Sequence, residues 1–321
     1  MSYLRYTWQV LREGLRGFIE HKCFRHAAVL SFYTLFSIAP MIMVSIHGAS
    51  LLASSIDFQE EMIAQFSELV GEQGAQGIVV LMDSLENEEA SRFQLLLGTG
   101  VLLFSATTIF VQLQNAFNDI FSVATTGRKF LKLIWDRLIS LGIILSLGLV
   151  MIVSLVLDSA IMLLQGYLTS LFPDVAVILI SSLQYLVLLT LATAEIYALL
   201  HFLPDVYLPT RYKLRGCVII TALLVVGKSV ISWYIGTSPF SELGGASASV
   251  IILMLWVYYS SLILFFGAEL IYGMGIVDGI NPHPKRYAVR LKSVEVKMPE
   301  PEPLRRQRTV GRGGKLQHSE V

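Results

Sequence analysis

Charge is scarce in this chain, and its distribution is more informative than its amount. Asp, Glu, Lys and Arg make up 15% of 321 residues, well below the roughly 25% of an ordinary soluble domain. Cysteine is nearly absent. The two thiols, Cys23 and Cys217, both lie beside basic segments assigned below to the reducing side, which argues against a disulfide framework, and two separated thiols do not make a metal site. The six histidines, His21, His26, His47, His201, His283 and His318, show no HxxxH or HxH spacing, which removes the usual helical zinc arrangement. There is no GxSxG nucleophile turn. There is no GxxxxGKS/T phosphate loop either, because Gly227-Lys228-Ser229 lacks the upstream glycine and sits in an apolar run. No cofactor and no metal is expected.

What the chain has instead is long uncharged runs. Hydrophobic residues make up 54% of it and the mean hydropathy is +0.64. Crossing a hydrocarbon core of roughly 30 Å takes about 20 apolar helical residues, and six stretches qualify: about 27–53, 93–113, 138–157, 175–203, 216–235 and 247–273. Each is too long for a strand, and only helices or closed barrels satisfy their backbone groups in lipid. No alternation of the barrel type competes. The expected fold is all-α, a polytopic membrane bundle of six transmembrane helices with an N-terminal interfacial helix and short external helices.

Lys and Arg set the orientation. Of 24 such residues, 22 fall in four segments: five in 1–26, four in 114–137, three in 204–215 and ten after Gly273. The intervening loops are nearly bare, and 54–92 carries only Arg92. The positive-inside rule then places both termini in the cytoplasm of a bacterial inner membrane. The loop 54–92 becomes external and acidic, with nine Asp or Glu. Within it Phe58, Met62, Phe66 and Leu69 form one helical stripe, and Ile78, Met82 and Leu85 a second. No cleavable signal peptide is evident, since the first apolar run starts late and is too long.

At the N-terminus, Leu4, Trp8, Leu11, Leu15 and Phe18 recur at helical spacing, with Arg5, Arg12 and Arg16 off that stripe. This pattern predicts a helix over 1–26 lying in the cytoplasmic interface, against the alternative of a helix packed on the bundle. The segment 274–321 reads as a basic cytoplasmic tail. Beyond Asn281 it is rich in Pro and Arg, without apolar periodicity, and is expected to be disordered near anionic lipid. The partners expected are thus the lipid bilayer, with anionic lipid at the N-terminal helix and the tail, and a second copy of the chain. No nucleic acid is expected.

Polar residues inside the spans are the candidate functional groups. A charge near a helix centre costs roughly 2.5–3.5 kcal/mol on insertion scales, so it ordinarily meets a partner or a wet cavity. Lys228 sits about 18 Å from the cytoplasmic end of the fifth span and Glu195 about 12 Å from that side in the fourth, by the helical rise. A lysine stem is flexible, and the two are expected to pair or to share a polar cavity. Gln184 and Ser181 continue the Glu195 face. In the second span Thr108, Gln112, Asn115 and Asp119 share one face, with Asn118 beside them. Such lines also serve as interhelical hydrogen bonds that only hold a bundle together, each worth about 1 kcal/mol or less. Pro40, near the centre of the first span, should kink it. Pro204 and Pro209 should stop the fourth helix, and the fifth should restart after the basic cluster at about 216.

Four segments carry a family resemblance: AAVLSFYTLFSIAPMIMVS in the first span, LQNAFNDIF closing the second, FLPDVYLPTRYKLRG before the fifth and WVYYSSLILFFGAEL closing the sixth. Together they resemble the YihY/BrkB family of bacterial inner-membrane proteins, over about residues 10–275. The resemblance implies six helices with cytoplasmic ends. It says less about activity: members have carried a ribonuclease BN label and are also described as transporters or envelope factors. A metal-dependent nuclease needs clustered acids or histidines, whereas Asp119, Asp136, Asp205 and Glu269 are scattered, so no enzyme is expected. The expected function is a transporter or flippase-like protein for an anionic or amphipathic substrate. Lys228 would bind the anion, Glu195 would balance or couple the charge, and Asn115, Asn118 and Asp119 would line the entrance. The alternative is a non-transporting scaffold or envelope-assembly factor that docks partners on the acidic loop and the basic tail.

Overall fold

The computed structural model describes residues 3–52, 92–126, 142, 173–237, 246–280 and 282–291. Among these residues the architecture is mostly helical. The helices are α1 (Tyr3–Glu20), α2 (Cys23–Leu52), α3 (Arg92–Ile120), α4 (Pro173–Phe202), α5 (Thr210–Thr237) and α6 (Ala246–Val277). Three stretches among the described residues are long and apolar enough to cross a membrane: Tyr185–Phe202 in α4, Thr210–Tyr234 in α5 and Val250–Val277 in α6. The expected third span, 138–157, the external helices of 54–92 and the tail from 292 lie outside the described residues. Large exposed side chains such as Phe32, Phe36, Phe104, Leu186, Val226 and Trp233 stud the long helices, as hydrocarbon solvation requires and water would penalise.

Small residues let the helices approach. A Cβ on Gly216 of α5 would overlap the Ile271 side chain of α6, and a Cβ on Gly267 of α6 would overlap Ile220 of α5. The two contacts are reciprocal, each glycine receiving the other helix's isoleucine, which is how packing replaces the hydrophobic effect between helices in lipid. Gly227 continues the α5 stripe against Tyr259 and Ile263. On another face of α5, Thr221 Oγ1 lies 3.0 Å from Thr193 Oγ1 of α4. That bond fixes the register of the α4–α5 pair.

The main core sits at the end that the charge count assigns to the cytoplasm. There Ala27, Ala116, Phe117, Leu200, Cys217, Phe265 and Ala268 are buried together. A smaller cluster of Ile231 and Ile252 with Leu255, Trp256 and Tyr259 lies further along α5 and α6. α2 stays helical on both sides of Pro40, so the missing amide costs one hydrogen bond without ending the helix.

α1 has two apolar faces. Val10 and Phe18 are buried, and Gly14, Gly17 and the backbone near Val10 lie against Leu270, Glu269 and Gly273 of α6. Leu4, Trp8, Leu11, Leu15 and Ile19 remain exposed. The single stripe expected from periodicity therefore divides: Phe18 turns into the core, and the rest of the stripe is left uncovered.

One feature is new, and two boundaries need correction. The mostly helical architecture agrees with the all-α expectation and carries two short strand pairs at its connections: β1 (Val123–Thr125) pairs antiparallel with β4 (Ala288–Arg290), and β2 (Val206–Tyr207) with β3 (His283–Pro284). Strands this short have no periodicity to reveal them, and only the meeting of distant connections creates them. The same pairing orders residues 282–291, which the composition had placed in a disordered tail, while α6 itself runs past Gly273 to Val277. Finally, α5 begins at Thr210, not after the basic cluster. The Pro209 carbonyl accepts from the amides of Tyr212 and Lys213, at 3.1 and 3.3 Å, so the residues after the proline enter the helix at once.

Candidate functional site: a buried polar belt

At the corner between α1 and α2, Lys22 takes a left-handed conformation, φ 55°. A non-glycine residue there costs roughly 1 kcal/mol or more. The turn aims His21 inward, where its Nδ1 lies 2.7 Å from Oε1 of Glu269 on α6. Cys23 Sγ is 3.6 Å from the same oxygen. Glu269 is wholly buried, and its second oxygen, Oε2, lies where Gly17 leaves room for it. Among the described residues Oε2 has no hydrogen-bond partner.

Burial pulls the His21 pKa down, but the hydrogen bond to Glu269 and the charges of Glu269, Glu20 and Asp119 outweigh it, and the pKa stands above the ordinary value. Burial, then the charge of Glu269, pushes the Cys23 thiol well up. Both cysteines are buried and free. A raised folded pKa means that His21 contributes stability that is fully present below its unfolded value near 6.5 and is lost as pH rises through the folded value. Thermal unfolding of the purified protein in detergent should show this loss, and His21→Gln should flatten the profile over that window. An unchanged slope in the variant would remove His21 from the linkage.

Beside this pair, His26 Nε2 lies 3.1 Å from Asp119 Oδ2. The two atoms are close, yet they are not aligned as a hydrogen bond, and Asp119 is half open to the surroundings. α3 ends at a second left-handed residue, Ser122, φ 51°. Its hydroxyl accepts from Tyr272 Oη at 3.2 Å, and its carbonyl accepts from the amide of Leu291 at 2.8 Å. The α3 terminus, α6 and β4 are tied at one residue.

Asn118 and Asp205 form a reciprocal bond. The Asn118 amide nitrogen donates to Asp205 Oδ2 at 3.1 Å, and its oxygen accepts from the Asp205 backbone at 2.8 Å. Thr125 adds a donor to the same carboxylate oxygen at 2.9 Å. Tyr212 and Tyr6 both donate to Asp278 Oδ2, joining the starts of α5 and α1 to the end of α6. Burial first, then Asp278, raises the Tyr6 pKa.

The sequence-derived candidates divide among these surroundings. Asn118 and Asp119 are in the belt, each with the partner just described. Thr108 bonds back to the Phe104 carbonyl at 2.8 Å, while Gln112 and Asn115 are half-buried along α3. Glu195 is half-buried on α4 and has a partner. The side chains of Gln184, Ser181 and Pro40 lie outside the described residues. Lys228 follows Gly227, roughly 100° around the helix from the stripe packed on α6, and is exposed.

The Thr193–Thr221 bond places Lys228 and Glu195 nine residues out of level in an antiparallel pair, about 13 Å along the axis. Accordingly, no ion pair joins them among the described residues. Periodicity within one helix reveals depth and face, but not the register against its neighbour.

His21, His26 and Glu269 are site residues that the sequence pattern does not mark. The available signal was a carboxylate at the end of an otherwise uncharged span, but its match with Gly17 and His21 spans some 250 positions. Among the described residues no three His, Cys, Asp or Glu side chains are grouped to hold a metal ion.

Long apolar helices locked by a polar belt define a mostly helical integral membrane protein. The chain belongs to the family described as Virulence factor BrkB, which matches residues 15–285. A UPF0761 membrane protein of Pseudomonas aeruginosa is 29% identical over 258 residues, covering 79% of this chain and 60% of that relative. Its counterpart in Verminephrobacter eiseniae is 27% identical over 273 residues, with 82% and 62% covered. That of Alcanivorax borkumensis is 28% identical over 268 residues, with 80% and 58% covered. The chain thus spans about three-fifths of the length of these relatives, and none of the three carries an enzymatic name. No solved structure matches.

Proposed function

We propose that this chain is an inner-membrane transporter or flippase-like protein, with both termini cytoplasmic, that moves an anionic or amphipathic substrate along a polar route beside α3, α4 and α5. The observation that carries this reading is Lys228. It is an exposed cation inside a 25-residue apolar stretch with a mean hydropathy of 2.0, and no carboxylate lies within ion-pairing distance among the described residues. Such a charge is expensive in hydrocarbon unless it faces water, a partner copy or a substrate anion. Glu195, Gln184, Thr108, Gln112 and Asn115 would line the route, with Asn118 and Asp119 at its cytoplasmic mouth. In this reading α1 rests its exposed Leu4–Ile19 stripe in the interface, with Arg5, Arg12 and Arg16 toward lipid phosphates.

The test is movement of a fluorescent phosphatidylglycerol across proteoliposomes, read by quencher accessibility. Lys228→Ala and Glu195→Gln, both well folded, should each slow it about tenfold or more, the scale of losing one charged contact. Equal rates in wild type and variants would overturn the assignment. The alternative, a non-transporting scaffold, draws support from the tightly packed core around Phe117 and Phe265, and it requires no protein-dependent movement at all.

A further inference from the structure

The α4–α5 junction holds a second cationic feature, separate from Lys228. Lys213, in the first turn of α5, is only 5% exposed. Its ammonium lies 2.8 Å from His201 Nδ1 on the last turn of α4 and 5.0 Å from the centre of the Tyr197 ring. No carboxylate pairs with it among the described residues. A buried cation without an anion is a costly arrangement, and an imidazole and a ring face offset only part of that cost.

The contact also settles the histidine. An ammonium has donors only, so His201 Nδ1 must be the acceptor. The proton of the neutral ring therefore resides on Nε2, and His201 is exposed. The side chain of Lys285 reaches the same corner, its Nζ 3.4 Å from the Phe202 carbonyl. Exposed Phe202, Tyr207 and Leu214 belong to the same junction.

We infer that His201, Lys213 and Lys285 form a phosphate-binding niche that takes the phosphodiester of an anionic membrane lipid. His201 would donate from Nε2, and the two lysines supply the compensating charge. Hydrogen bonds from cations to phosphate oxygens are among the stronger ones available to a protein, and basic pockets between spans on the cytoplasmic side suit anionic headgroups. The exposed apolar residues at the junction favour a lipid over free phosphate, since acyl chains can cover them. The inference does not depend on whether the protein transports.

The experiment measures the thermal unfolding midpoint of the full chain in detergent during titration with dioctanoyl phosphatidylglycerol, dioctanoyl phosphatidylcholine or inorganic phosphate. Phosphatidylglycerol should raise the midpoint saturably and phosphatidylcholine should not. His201→Phe, which keeps a ring but loses both nitrogens, should weaken the apparent affinity about tenfold. Lys285→Gln, at a half-buried position, should weaken it severalfold when each midpoint is read against that variant's own ligand-free value, so the test survives if His201→Phe folds poorly. Equal shifts with phosphatidylcholine, or variants that bind as wild type does, would overturn the niche. Inorganic phosphate matching phosphatidylglycerol would overturn the lipid assignment.

Discussion

Gly17→Leu should destabilise the protein by about 3–5 kcal/mol, the range for breaking a buried charged pair from one side. The new side chain would occupy the space of the Glu269 carboxylate and push it off His21 Nδ1, leaving a wholly buried acid without its strongest partner. The sign is diagnostic already with alanine. In an open helical position Gly→Ala gains up to about 1 kcal/mol, and Gly100→Ala on α3, where nothing lies within 4 Å of the new methyl group, should show part of that gain. Gly17→Ala should instead lose stability, because its methyl group meets Glu269 Oε2. Unfolding in mixed micelles by increasing denaturing detergent measures all three. A neutral Gly17→Leu would mean that α1 does not press on α6 as described.

Asn118→Leu should cost about 2–4 kcal/mol. It removes a donor from the Asp205 carboxylate and strands the buried Asp205 amide, and an unsatisfied buried donor alone costs roughly 1–3 kcal/mol. Thr125→Val, which deletes one donor to the same carboxylate, should cost less, about 1–2 kcal/mol. The comparison bears on function as well. If Asn118 lines a substrate entrance, Asn118→Leu should slow substrate movement beyond the loss of folded protein. If it serves only to lock the α3 terminus to the α4–α5 connection, movement per folded molecule should be unchanged. The unfolding midpoint and proteoliposome rates from one preparation distinguish these outcomes.

The helical character of the chain was legible before any coordinates, because lipid imposes one-dimensional constraints. A span needs length and apolarity, and its backbone must bond to itself. α4 and α6 accordingly lie within a few residues of where the uncharged runs place them. The start of α5 was misplaced because Arg211, Lys213 and Arg215 look like a loop to a hydropathy count. In the structure these residues occupy the first two turns, where the lysine meets the C-terminal end of α4, whose carbonyls carry partial negative charge. The short strands were illegible for a different reason. β1 and β4 are separated by more than 160 positions, and nothing in VAT or AVR announces a partner.

The candidate site divides along the same line. Lys228 and Glu195 stand out in sequence because a charge in an apolar run is a local anomaly, and the estimate of depth needed only the helical rise. Their separation along α4 and α5 depends on the Thr193–Thr221 register, which no single helix contains. Glu269 carries no comparable signal, since a carboxylate at a span's end reads as an ordinary headgroup-level residue. It becomes distinctive only because Gly17 and His21 arrive from α1.

By itself the sequence determined membrane residence, the helicity of the long apolar runs among the described residues and the segregation of basic charge, since each follows from the solvent acting on one segment at a time. Only the tertiary structure decided which polar groups meet: His21 with Glu269, Asn118 with Asp205, Lys213 with His201, and Lys228 with no carboxylate among the described residues. The physical reason is that hydrogen bonds and ion pairs act over about 3 Å between atoms that sequence separates by tens to hundreds of residues, and helix register and close glycine contacts decide which of them come within that reach.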